Sequence, residues 1–408
     1  MKKVELLAPA GDLERLKTAI IYGADAVYLG GQIFSMRAAA KNFSMNDLKE
    51  GIDFAHKHGV RVFLTANIIP HNDDLDGFPE YLRQVSELGI DAIIVSDPGT
   101  FNIVKETIPD MEIHISTQAN NTNYHTVNFW YKLGAKRIVL ARELSFKEIK
   151  EIKENVPEDM DLEAFVHGAM CMSYSGRCLL SNYMIERDAN RGECAHPCRW
   201  KYYLVEEKRP REYMPIIEDE HGTYIMNSKD LCMIEYIPEI IESGINSLKI
   251  EGRMKTTHYV ATVVRAYRMA IDSYYENPEE WKVEPTWMDE IRKASYREFT
   301  TGFYIKKPDN NEQIYENQSY DRKYDFIGIV RDYNKNTQIV TVEQRNRFFV
   351  GDKIEIFGPD KETFNTVIEQ MWDEEGNEIE VAPHPQQIVK FKIAEEVKPY
   401  YLVRKEKI

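Results

Sequence analysis

VELLAPAGDLERLKTAIIYGADAVYLGG, residues 4–31, is the stretch that decides the fold. An apolar run from Val4 ends at Pro9 and Gly11. Asp12 then stands where a helix N-cap belongs, the apolar spacing of Leu13–Tyr22 suits a helix, and Gly23 closes it. Ala26–Gly31 is apolar again and reads as a second strand. The unit then recurs. LKEGIDFAHKHG leads to a strand from Arg61 to Asn67, FPEYLRQVSELG to Asp91–Asp97, and PGTFNIVKETIP to Glu112–Gln118. HTVNFWYKLG leads to Lys136–Arg142 and SFKEIKEIKENV to Asp161–His167. After a long interruption, LCMIEYIPEIIESG leads to Asn246–Glu251.

These are eight strands, seven of them preceded by a helix. The strands are almost continuously apolar, as expected when both faces are covered. The alternation and the count predict an α/β fold: an irregular (β/α)8 TIM-like barrel, with a doubly wound open sheet as the competitor. Residues 1–305 are assigned to it, with a helix over THYVATVVRAYRMAIDSYYE closing the barrel and a further one over WMDEIRKAS. Residues 306–323 are polar and Asn-rich and read as a linker. From 324 to 408, short alternating runs and turn signals such as Gly351-Asp352 and Gly358-Pro359 predict a small all-β barrel domain.

In a barrel of this kind the C-terminal ends of the strands face the active site. The polar residues there are Asn67, His71, Ser96, Asp97, Thr117, Gln118, Asn120, Arg142, Glu143, His167, Lys249, Glu251 and Arg253. Any one of them could be an ordinary loop polar. Alternation along the last strand points Lys249 and Glu251 the same way, inward, as a buried pair that either fixes the strand or belongs to a site.

The interruption, residues 168–230, is far longer than an ordinary loop. It carries Cys171, Cys178, Cys194 and Cys198, four of the five cysteines in 408 residues. The fifth, Cys232, falls in a predicted helix. Net charge is −15 and pI about 5.3. No apolar run approaches the roughly 20 residues of a membrane span, and MKKVELLAPAGD is unlike a secretory leader. The expected location is cytoplasmic, where thiols stay reduced. A C-x6-C, C-x3-C spacing departs from paired C-x2-C zinc knuckles. An iron–sulfur cluster, zinc, a redox disulfide and unconnected core cysteines all remain open. Arg177, Arg187, Arg191, Arg199, Lys201, Lys208, Arg209 and Arg211 flank the thiols and suit a phosphate-bearing ligand, although a solvated basic face would look the same. KYYLVEEKRPREYMPIIEDEHGTYIMN within the insert resembles a β-hairpin, and its aromatics, with Tyr174 and Tyr183, could stack bases or pack.

EAFVHGAMCMSYSGRCLLS (163–181), RGECAHPCRW (191–200), LLAPAG (6–11) and SLKIEGRMK (247–255) together resemble the blocks of the collagenase-like U32 peptidase family. The likeness covers the whole chain, and the C-terminal β-barrel is typical of the longer type. The family name implies proteolysis. Other members resemble bacterial proteins of RNA hydroxylation, including those that install 5-hydroxyuridine at the tRNA wobble position with prephenate as a required metabolite. Others assist ubiquinone hydroxylation and carry a 4Fe–4S cluster on four cysteines. The resemblance therefore implies tRNA and a small carboxylate such as prephenate as partners, with a paralogous subunit as a further one. It implies a cluster on Cys171, Cys178, Cys194 and Cys198, with Cys232 as alternative ligand. Arg142, Arg253, Gln118 and Asn120 are then candidate substrate holders, and His167, Glu251 and Lys249 candidate catalytic groups. A U32-type peptidase and a non-catalytic cluster-bearing partner are the alternatives. For the peptidase, His167 could pair with Cys171, but no third partner is evident.

Overall fold

The computed structural model describes residues 3–31, 34, 42–171, 173–199, 218–219, 222–223, 229–294, 297–306 and 324–407. Seven strands run in order around a barrel: β1 (Glu5–Pro9), β2 (Ala26–Gly30), β3 (Arg61–Ala66), β4 (Ala92–Val95), β5 (Glu112–Ile115), β6 (Arg137–Val139) and β7 (Asp161–Ala169). All are parallel to their neighbours. The short β8 (Asp230–Cys232) lies antiparallel on the end of β7. Then β9 (Ser247–Ile250) pairs parallel with both β7 and β1, and this closes the eight-stranded ring. The barrel, not the open sheet, is the observed architecture.

Helices α1 (Leu13–Ile21), α2 (Met45–Lys57), α3 (Phe78–Glu87), α4 (Pro98–Thr107), α5 (Tyr124–Leu133) and α6 (Phe146–Glu154) sheath it. Their starts are chemically marked. Asp12, Ser44, Asp97, Asn123 and Ser145 each accept a backbone N–H from the first turn. One further helix, α7 (Leu180–Ile185), lies within the insert, unforeseen in the sequence. Next come α8 (Ile237–Glu242), α9 (Thr257–Glu276) and α10 (Pro285–Ala294). The strands bury Leu6, Val27, Val62, Ile93, Ile115, Ile138 and Leu248 against this sheath.

One expectation fails locally. Residues 231–232 were expected in a helix and form β8 instead, because β7 runs on to Ala169 and offers them an edge to pair with. A two-residue strand β10 (Phe299–Thr300) extends that edge. The helix starts only at Ile237, with Pro238 in its first turn.

The C-terminal part is an antiparallel sheet of β11 (Tyr324–Asn334), β12 (Ile339–Gln344), β13 (Lys353–Gly358), β14 (Lys361–Val367), β15 (Met371–Trp372), β16 (Ile388–Lys392) and β17 (Leu402–Glu406), ordered β14-β13-β17-β11-β12-β16-β15. It encloses its own apolar core, including Ile327, Val342, Phe348, Ile356 and Phe391. It also docks on the barrel. The Tyr22 hydroxyl donates to the carbonyls of Phe357 and Tyr400 (3.2 and 3.0 Å). Glu14 takes Arg331 and Arg345 (2.9 and 2.5 Å), and Arg404 reaches Glu290 (2.7 Å). The expected linker, all but Lys306, lies outside the described residues. So does most of the expected hairpin, of which only 218–219 and 222–223 are described, as an antiparallel pair.

Candidate active site at the barrel mouth

The barrel interior is layered by charge. At the N-terminal ends of the strands, Arg137 reaches Glu5 (2.5 Å), Asp161 (3.3 Å) and Glu163 (3.2 Å). Beside it, His114 and Arg61 both hold Glu112 (2.7 Å each). Burial pushes the Glu112 carboxyl up, but the His114 and Arg61 contacts outweigh it and leave it at about 2. One layer up, Lys249 Nζ stands 2.7 Å from Glu163 Oε1 and 4.5 Å from the centre of the Tyr28 ring. Burial opposes ionisation of Glu163, yet Lys249 and Arg137 together keep its carboxyl below the usual range. Lys249 therefore pairs with Glu163 and not with Glu251.

Above this floor lies a cavity of about 210 Å³. Lys249, Glu251, Arg142, Arg253 and Gln118 line it on the barrel side, and Cys171, Cys178, Cys194 and Cys198 line it from the insert. Lys255 adds a further cation. Arg142 donates to the Ala169 carbonyl (2.6 Å) and to Glu251 (3.3 Å), with its guanidinium 3.8 Å from the centre of the Phe165 ring. Arg253 is buried and donates to Thr65 Oγ1 and Asn42 Oδ1, 2.9 Å each. Its carbonyl lies so close to Gly11 that a Cβ there would stand 2.1 Å from it, which explains the glycine ending LLAPAG.

The insert is fastened to the rim at two places. Asn120, in the left-handed region at φ 54°, donates to the Ser175 carbonyl (2.9 Å) and accepts from Arg177 Nε (2.7 Å). On the other side Arg191 pairs with Asp74, and Ile69 N–H donates to the Asn190 carbonyl (3.1 Å). Asn120 is thus a clasp for the insert and is not among the cavity-lining residues. Serine and backbone groups order the thiol segment itself: Ala195 N–H donates to Ser181 Oγ (3.2 Å) and His196 N–H to Cys194 Sγ (3.4 Å).

Besides Asn120, two further expected site residues, His167 and Cys232, do not reach the cavity. His167 sits where β7 gains one residue against β9, since Lys249 faces Phe165 and Ile250 faces His167. This bulge re-aims the side chain. The ring lies among Tyr259, Tyr267 and Phe299, with Nδ1 3.4 Å from the Tyr267 hydroxyl. Burial presses its pKa down to about 3, so the ring is neutral near pH 7, and it is not among the residues that line the cavity. Cys232, on β8, packs against Met288 Sδ (3.9 Å) and the Tyr267 hydroxyl (4.0 Å). Burial lifts its thiol to about 12, which marks a core cysteine.

None of the five cysteines is in a disulfide. Among the described residues no three His, Cys, Asp or Glu side chains converge on one point as donors to a single metal ion. Sequence reasoning missed Glu163, Thr65 and Ser116. Glu163 was legible as the inward partner of Phe165 two residues on; Thr65 and Ser116 carried no distinguishing signal.

Barrel, thiol-bearing insert and cation-lined cavity define an α/β-barrel protein with its working face at the strand C-termini. The profile of peptidase family U32 matches residues 11–314 and that of the peptidase family U32 C-terminal domain matches 322–404, and the chain belongs to this family. The tRNA hydroxylation protein P1 of Bacillus subtilis is 46% identical over 406 residues, spanning 100% of this chain and 96% of its own. The tRNA hydroxylation protein P of Escherichia coli is 39% identical, over 94% of this chain and 92% of its own. The 23S rRNA 5-hydroxycytidine C2501 synthase of Escherichia coli is 37% identical, over 67% of this chain and 40% of its own.

Proposed function

We propose that this chain is an enzyme of tRNA modification that hydroxylates the wobble uridine to 5-hydroxyuridine at the barrel mouth. The observation that carries the reading is one cavity with four thiols on its insert wall and Arg142, Lys249, Arg253 and Lys255 on its barrel wall. The full-length likeness to two tRNA hydroxylation proteins supports the RNA substrate. The cations suit a small carboxylate co-substrate such as prephenate, or a phosphate of the RNA.

The donor set supports a 4Fe–4S cluster over zinc. Tetrahedral zinc needs its donors at one point, and among the described residues no three converge. A four-iron cluster takes each thiolate on a different iron, so four cysteines spread over one wall fit it better. Cys171, Cys178, Cys194 and Cys198 would hold it, and it would supply one-electron chemistry or activation of a hydroxyl donor. The chain's own residues do the rest. Arg142, stacked on Phe165, and the buried Arg253 orient anionic groups. Lys249, paired with Glu163, places a cation at the floor. Glu251, held by Arg142, is the carboxylate placed to move a proton within the cavity.

Anaerobic purification with iron counting and absorption spectroscopy tests the cluster; a colourless protein that binds only zinc sinks the redox version. Comparing 5-hydroxyuridine in tRNA from cells with and without the gene tests the substrate. Unchanged levels, together with cleavage of denatured collagen by the pure protein, would select the peptidase instead.

A further inference from the structure

At the cavity edge three polar side chains form a short chain of hydrogen bonds with both ends left open. Asn67 follows β3, and Ser116 and Gln118 follow β5, so the chain reaches across the end of β4. Asn67 Nδ2 donates to Ser116 Oγ (3.1 Å), and Ser116 Oγ donates to Gln118 Oε1 (3.5 Å). All three residues line the cavity, and Ser116 and Gln118 are 3% and 5% exposed. Asn67 Oδ1 and Gln118 Nε2 are buried without a partner. One is an acceptor and the other a donor.

With Ser116 accepting from Asn67 and donating to Gln118, one acceptor and one donor are left over. A hydroxyl has one proton and two lone pairs, so it can accept from one amide while donating to the other. Reversing both amides reverses the order but again leaves one donor and one acceptor. The backbone is also held. Ser96 Oγ lies 3.1 Å from the carbonyl oxygens of both Asn67 and Ile68 and shares its one proton between them, and Ser116 Oγ caps the Gln118 N–H (3.4 Å). Gly176 of the thiol insert lies against Gln118: a Cβ there would stand 3.1 Å from Gln118 Cβ and 3.4 Å from Nε2. The amide is therefore sandwiched between the barrel rim and the segment that carries Cys178.

Two buried polar atoms of opposite kind, on side chains that line one cavity, are costly unless a ligand completes them. We propose that Asn67 and Gln118, coupled through Ser116, read the Watson–Crick edge of a uracil turned out of its RNA into this cavity. N3–H of the base donates to Asn67 Oδ1, and the adjacent carbonyl oxygen accepts from Gln118 Nε2. A base must leave its stack to reach an enclosed site, and such pockets read it by this edge. The inference rests on the hydroxylation reading above and adds the base-recognition residues.

The test is complementation of a strain lacking the gene with the full-length wild type, Asn67→Leu, Gln118→Leu and Ser116→Ala. 5-Hydroxyuridine in digested tRNA and the affinity of each purified protein for labelled tRNA are measured alongside. Asn67→Leu and Gln118→Leu are expected to lower modification roughly ten- to hundredfold, and Ser116→Ala by less. Affinity for whole tRNA should change less than about twofold, because phosphate contacts dominate it. Wild-type modification in Ser116→Ala, which removes a single oxygen, or in either leucine variant overturns the proposal. Parallel loss of modification and tRNA affinity also overturns it, as that marks a structural role. If the wild type itself restores no 5-hydroxyuridine, the hydroxylation reading fails and takes this inference with it.

Discussion

The floor and the mouth of the barrel are built from the same residue types and differ in how they are completed. At the floor, Glu5, Arg137, Glu163, Lys249, Glu112, Arg61 and His114 pair charge with charge within a few ångströms, leaving only single ring or guanidinium nitrogens, His114 Nδ1 and Arg137 Nε, without a partner. At the mouth, Arg142 and Glu251 pair at 3.3 Å beside a cavity, while Asn67 and Gln118 keep unpartnered atoms there. A closed network contributes to a unique structure, and an open one is a place for a ligand. Charge alone does not separate function from architecture in this chain; a place on the cavity wall does.

Replacing mouth groups should therefore remove activity and spare the fold, and replacing floor groups should do the reverse. The largest effect is expected for the double variant Cys171→Ser, Cys178→Ser. It should lose about a hundredfold or more of tRNA hydroxylation, together with bound iron, while thermal unfolding shifts little. Glu163→Leu should cost about 3–5 kcal/mol in denaturant unfolding, because it strands Lys249 in the interior and takes one of three carboxylates from Arg137. A small loss would mean the floor relaxes around the gap.

His167 sharpens the contrast through pH. The unfolded imidazole protonates near 6.5, whereas the folded one resists until about 3. Between these values the unfolded state binds more protons, so stability falls as the pH drops from 6.5 toward 3, by about 3 kcal/mol at pH 4. His167→Gln should flatten that slope in pH-dependent melting and leave hydroxylation at neutral pH intact. Loss of turnover in a folded His167→Gln protein would return the residue to the chemistry. The smallest effect is expected for Glu14→Gln between the two parts of the molecule. Glu14, Arg331 and Arg345 are all partly solvent-exposed, so about 1 kcal/mol is expected by calorimetry.

The barrel was legible because its strands are nearly unbroken apolar runs and its helices begin at marked caps such as Asp12, Ser44 and Ser145. The mouth was legible in outline, since strand order alone puts Arg142, Gln118, Lys249, Glu251 and Arg253 at one end. What escaped depends on register and on contacts distant in sequence. A one-residue bulge turns His167 away from the site, and nothing in its neighbours announces it. Cys232 looked helical because LCMIEYIPEII has helical spacing, yet the free edge of β7 captured its first residues. Lys249 was assigned the wrong partner because Glu251 is two residues away and Glu163 is 86.

The joint at Glu14 has a metrical consequence. Glu14 lies in the first turn of α1, at the mouth end of the barrel, where it also accepts from Thr257 at the start of α9 (3.0 Å). The same carboxylate takes two arginines of the C-terminal sheet. Both parts of the molecule are thus surveyed from one benchmark beside the cavity. The sheet therefore stands at a set offset from the barrel mouth.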